Sequence, residues 1–171
     1  MKIIFWVLLL FIFIFPLFAK AGIVINEIAW MGTENSVNDE WLELYNPGGS
    51  AVNLDGWILE AVDGTPKINL TGSISANGFL ILERTDDSTL PDIAADLIYA
   101  GALSNSGEVL VLKDASGIED DKVDGSSNWE NIGGDNLTNQ TAQRTDSGWL
   151  TATATPKAIN AVIQESQNES P

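Results

Sequence analysis

Beyond its first 21 residues the chain is broken into short stretches that alternate in polarity or fill with β-branched residues. The sharpest alternation is residues 40–45, Glu-Trp-Leu-Glu-Leu-Tyr. A period of two places Leu42 and Leu44 on one face and Trp41, Glu43 and Tyr45 on the other, as expected of a half-buried strand. It stops at Asn46-Pro47-Gly48-Gly49. Pro47 lacks an amide donor and the glycines accept positive φ, so a turn follows.

The same logic predicts a series of strands. Residues 22–30 are rich in β-branched side chains with apolar groups on both faces, which predicts a central or covered strand. Residues 31–38 read as a loop and 51–54 as a short strand with Val52 and Leu54 inward. Asp55-Gly56 is a tight-turn dipeptide leading into a strand over 57–62. Asp63-Gly64 repeats that chemistry before 67–70, and Asn77-Gly78 introduces a buried strand over 79–83. Residues 84–96 predict a long acidic loop containing Pro91, and 94–99 a short helix or strand. Residues 103–107 form a turn that launches a strand over 108–113, and 114–117 a hairpin loop into 118–123.

From 124 to 148 Asn, Gly, Ser, Thr and Asp dominate, with Trp129 and Trp149 as anchors on a sandwich edge. Residues 151–160 predict an extended exit, and 161–171 a disordered tail or linker. Short strands separated by glycine-bearing turns, with no helical periodicity, indicate an all-β sandwich or barrel.

The first 21 residues differ in kind. Lys2 precedes an unbroken apolar run of 13 residues (3–15), Pro16 breaks it, and Ala19-Lys20-Ala21 offers small residues for a signal peptidase. This is the layout of a secretory signal peptide, expected to be a helix and to be cleaved before Gly22. The rival is an uncleaved anchor, but the run is shorter than the ~20 residues a bilayer requires. Export follows, to the medium or the cell envelope, with membrane contact only through an uncleaved N-terminus.

Charge narrows the partners. Beyond the leader, six basic residues face 24 acidic ones, a net charge of −18. Such a surface repels phosphate backbones, so direct nucleic-acid binding is not expected. It suits a solvated acidic coat or, alternatively, cation binding. The chain has no Cys and no His. Disulfides, Ser-His or Cys-His nucleophile pairs and imidazole or thiolate zinc sites are therefore excluded.

Carboxylates remain the candidate chemistry. If the first two strands pair, Glu27, Asp39, Glu40 and Glu43 meet at one edge, where oxygen ligands could hold Ca2+. The structural alternative turns Glu43 to water and gives Glu27 a hydrogen bond or an ion pair with Arg84 or Arg144. No calcium-loop spacing is met, so no metal site is assigned. In residues 120–131, Lys122 puts a cation at a ligand position and Asn131 stands where such a loop needs a bidentate acid. A glycosidase acid–base pair would need a sugar cleft, and nothing marks one. Trp30, Trp41, Trp129 and Trp149 admit a carbohydrate-stacking platform, though large aromatics contribute mostly by burial. Asn69, Asn136, Asn139 and Asn168 head glycosylation sequons.

Five motifs in order resemble the lamin tail domain family, in its secreted bacterial form. They are Ile25-Asn26-Glu27-Ile28, the run from Asp39 to Pro47, the run from Val52 to Trp57, the run from Leu103 to Glu108, and Gln143-Arg144 with Thr155-Pro156-Lys157-Ala158-Ile159-Asn160. Lys157 and Ile159 depart from a family preference for Gly and Pro there. The resemblance spans residues 22–160 and implies an immunoglobulin-like β-sandwich. Expected core residues are Ile25, Leu42, Leu44, Leu54, Trp57, Leu80, Leu82, Val109, Val111 and Val123, with Trp57 or Trp41 filling the centre. The implied role is a non-enzymatic exported module that binds a protein or cell-surface partner without a cofactor. The alternatives are a Ca2+-dependent adhesion domain, a carbohydrate-binding domain, or an accessory module of a secreted hydrolase.

Overall fold

The computed structural model describes residues 22–161. The expected signal-peptide helix and all but the first residue of the expected tail lie outside the described residues. Twelve strands follow one another: β1 (Val24–Ala29), β2 (Trp41–Tyr45), β3 (Val52–Asn53), β4 (Ile58–Ala61), β5 (Lys67–Asn69), β6 (Ser73–Ile74), β7 (Phe79–Arg84), β8 (Leu97–Tyr99), β9 (Val109–Lys113), β10 (Glu119–Asp124), β11 (Thr141–Thr145) and β12 (Gly148–Ala152). A six-stranded sheet, ordered β12-β11-β1-β2-β7-β8, packs over a four-stranded sheet ordered β10-β9-β4-β5, and β3 pairs with β6 apart. Every pairing is antiparallel except β7 with β8. The fold is the expected all-β, immunoglobulin-like sandwich. Of residues 94–99, open between helix and strand, Leu97–Tyr99 form the strand β8.

A bulge explains the awkward phase of β1. Ile25 opposes Leu44 and Glu27 opposes Glu43, leaving Asn26 as the extra residue. A bulge shifts the side-chain phase by one. Ile25 and Ile28, three apart, therefore both turn inward with Leu42 and Leu44, and all four are fully buried. Leu80 and Leu82 continue this inner face by register with Leu44 and Leu42.

The four-stranded sheet corrects one expectation. Leu110 and Leu112, rather than Val109, enter the central cluster, and Val111, though buried as expected, lies outside it. They stand opposite Ala61 and Leu59, and Leu110 also opposes Val123. Val109 is half-buried. Val111 lies between Glu60 and Lys122 on the outer face, near the Glu60–Lys113 ion pair at 2.7 Å. Both phases of Val-Leu-Val-Leu are apolar, so partner strands rather than alternation decide which side is buried.

Two further corrections concern residues 124–152. This stretch, legible only as polar, contains β11 and β12, which extend the larger sheet beyond β1. Trp129 is more than an edge anchor. Its ring is buried and stacks on Trp30 at 5.8 Å, and its indole N–H donates to the Ser104 carbonyl at 2.8 Å. With Trp30, Trp41 and Trp129 all inside, the four tryptophans form no exposed sugar platform. Trp149 is half-buried under the Arg144 guanidinium, 4.9 Å from its ring.

Candidate functional site

The outer face of the larger sheet holds two of the four expected acidic residues, Glu27 and Glu43. Register aligns Gln143, Glu27, Glu43 and Ile81 in one row across β11, β1, β2 and β7. Glu27 and Glu43 are both 0 % exposed, so β2 is buried on both faces rather than one. The cover is residues 153–161, a strap that leaves β12 and crosses this row. Three of its amides are satisfied by the row's side chains. Thr155 donates its N–H to Glu27 Oε1 at 3.1 Å and its hydroxyl to Glu27 Oε2 at 2.9 Å. The Lys157 N–H donates to Glu43 Oε2 at 2.6 Å, and the Ala161 N–H to Gln143 Oε1 at 2.8 Å. Asn160 donates to the carbonyls of Asn26 and Arg144, each at 2.9 Å.

Neither arginine serves this pair. Glu27 is held by Thr141, Gln143 and Thr155, and Asn26 donates to Glu43 Oε1 at 2.7 Å. Arg84 pairs with Glu40 at 2.8 Å and Arg144 with Asp121 at 2.6 Å. The Lys157 ammonium, whose charge acts on Glu43, sits on Asp96 at 3.1 Å. Burial therefore dominates. It pushes the Glu43 carboxyl up to about 7, with the Asn26 and Lys157 hydrogen bonds opposing and the Glu27 charge adding. Glu27 is also raised by desolvation, against its Thr and Gln donors.

The other two calcium candidates lie elsewhere. Glu40 accepts the Leu103 N–H at 2.6 Å beside Arg84, and Asp39 accepts the Thr33 hydroxyl at 2.8 Å. The four do not converge, and among the described residues no group of three or more acidic side chains is placed to hold a metal ion. The acids of β10 have structural partners: Asp120 and Asp121 accept the N–H groups of Ile23 and Ile25 at 2.6 and 2.8 Å.

Two grooves flank the strap. One, of about 320 Å3, runs past Thr153 and Ala154 beside Trp41, Leu90 and Thr138. The other, of about 370 Å3, has Val24, Tyr45 and Phe79 along it, with Pro47, Ile159 and Asp146 at its rim. Tyr45 stacks on Phe79 with ring centroids 4.8 Å apart, a pairing set by their direct register. Ile159, contributed by the strap, is 69 % exposed. Sequence alternation identified Tyr45 as an outer-face residue but gave no partner for it. The groove needs the β2–β7 register and the return of the strap, neither of which is local in sequence.

The family model for the lamin tail domain matches residues 17–129, about two-thirds of the chain. The chain belongs to the lamin tail domain family. No curated protein matches it. The match ends at Trp129, before β11, β12 and the strap, so the cover over Glu27 and Glu43 comes from residues beyond it. This lamin tail domain is thus an immunoglobulin-like module whose acidic row is enclosed by its own C-terminal segment.

Proposed function

We propose that this lamin tail domain is an exported, non-enzymatic interaction module that binds a protein or cell-surface partner in the aromatic groove beside the strap. The observation that carries this reading is the Tyr45–Phe79 stack beside two exposed apolar rim residues, Pro47 and Ile159. Concave apolar surface edged by a few polar groups is where proteins take ligands. The net charge of −18 beyond the leader favours a partner segment with Lys or Arg flanking its apolar anchor and disfavours nucleic acid. A non-catalytic role is supported by the absence of His and Cys and by the enclosure of Glu27 and Glu43. No metal is invoked, and export rests on the leader alone.

The test is recovery from a cell-envelope fraction by residues 22–171, compared with Ile159→Asp. This rim substitution touches an exposed side chain and leaves the fold intact. A protein retained by the native domain and lost with I159D supports the groove. Equal recovery by both overturns it.

A further inference from the structure

Ionised carboxylates buried without a cation are costly, because burial removes hydration that hydrogen bonds only partly replace. Glu27 and Glu43 sit opposite one another across β1 and β2, fully enclosed, with no ion pair among the described residues. What encloses them is a single segment, 153–161, whose own residues are half-buried or exposed. The strap thus adds little apolar burial and is held by hydrogen bonds to this pair, to Gln143, to Asn26 and to the Arg144 carbonyl, with the exposed Lys157–Asp96 ion pair beside them. Opening it is the direct way to hydrate the two carboxylates.

We infer that the strap is a proton-controlled latch, closed when the Glu27–Glu43 pair carries a proton and released when that proton passes to water. For partner binding this rests on the groove reading above, because release would withdraw Ile159 and Asn160 from that groove's wall. The charged groups around the pair are few. Asp96, just before β8, holds the Lys157 ammonium. On β7 the row residue is Ile81, while Glu83, farther along, is occupied by the Thr89 and Leu90 amides. On β11 the row residue is Gln143, and the Arg144 guanidinium turns away to Asp121.

The sign follows from linkage. With the strap closed Glu43 titrates near 7, and once hydrated it returns towards 4.5. The closed form therefore holds the proton more tightly and is most favoured below about pH 4.5. Its advantage falls as pH rises and is lost by about pH 7.

Amide hydrogen exchange on residues 22–171, normalised for the intrinsic pH dependence of exchange, reads the latch without any partner. Protection at Thr155, Lys157 and Ala161 should fall by more than about tenfold between pH 5 and 7.5. In Glu43→Gln the fall should shrink to less than about threefold. Unchanged protection in the native domain overturns the latch, whether or not the groove binds anything. Loss at Thr155 and Lys157 with Ala161 still protected overturns the coupling to the groove. Should E43Q fail to fold, the native pH series alone decides.

Discussion

Glu40 on the approach to β2 and Arg84 at the end of β7 form an ion pair at 2.8 Å that also secures a distant loop. Glu40 Oε2 accepts the Leu103 N–H at 2.6 Å while Oε1 meets the guanidinium. One carboxylate thus ties three separated parts of the chain. Glu40→Ala would leave a largely buried guanidinium and a buried amide without partners, at a cost of about 3–5 kcal/mol. Urea unfolding measures it, and a loss below about 1 kcal/mol would show the pair to be peripheral.

Mild acid should stabilise this domain. Burial raises Glu27, Glu40, Glu83 and Asp121, and lifts Glu43 and Glu108 to about 7. A raised carboxyl contributes most below its unfolded value, 4.5 for the glutamates and 3.8 for Asp121, and loses that contribution as pH climbs through the folded value. Glu60, Asp124 and Asp135 are lowered by their hydrogen bonds and act in reverse, losing stability as pH falls below 4.5 for the glutamate and 3.8 for the aspartates. The melting temperature should therefore rise from pH 7.5 to about 5 and fall again in stronger acid. A monotonic fall from pH 7.5 to 5 would contradict this assignment.

The phase of β9 gives a packing test. Leu110→Ala should cost about 2–5 kcal/mol, as expected for a fully buried leucine. Val109→Ala, at a half-buried position, should cost no more than about 1 kcal/mol. Equal losses would mean that β9 presents both phases to the core.

Calcium should have little effect. Because the four acidic candidates are dispersed, millimolar calcium should shift the melting temperature of residues 22–171 by less than about a degree. A shift of several degrees would restore the adhesion reading.

Asn160→Ala removes donors to two backbone carbonyls and a side chain that pairs with Asn26. It should loosen the strap at a cost of about 2 kcal/mol and expose residues 153–161 to limited proteolysis. Undiminished resistance would show that the strap is held elsewhere.

Strand positions were legible wherever alternation and turn dipeptides coincided. Asp55-Gly56, Asn77-Gly78 and the loop 114–117 all fall where the chain turns. What escaped was non-local. The bulge at Asn26, the phase of β9 and the enclosure of Glu43 are each fixed by neighbours across the sheet. β11 was hidden because Thr141-Ala142-Gln143-Arg144-Thr145 has little apolar content. It is kept in place by Glu27, the β12 hairpin and the Arg144–Asp121 pair instead. Glu43 looked solvent-facing because nothing in residues 40–45 announces a cover arriving more than a hundred positions later.

The place of β1 has a consequence for assembly. The earliest described strand lies between β2 and β11, so its second edge stays open until residues 141–145 have been made. Such sequence-distant pairing is slow, because loop closure comes before the contacts that reward it. During that interval the edge of β1, with Ile23, Ile25 and Ile28 beside it, is a template for another chain. Chaperone dependence during synthesis, and aggregation of chains ending before residue 141, would be traced to this one unfinished edge.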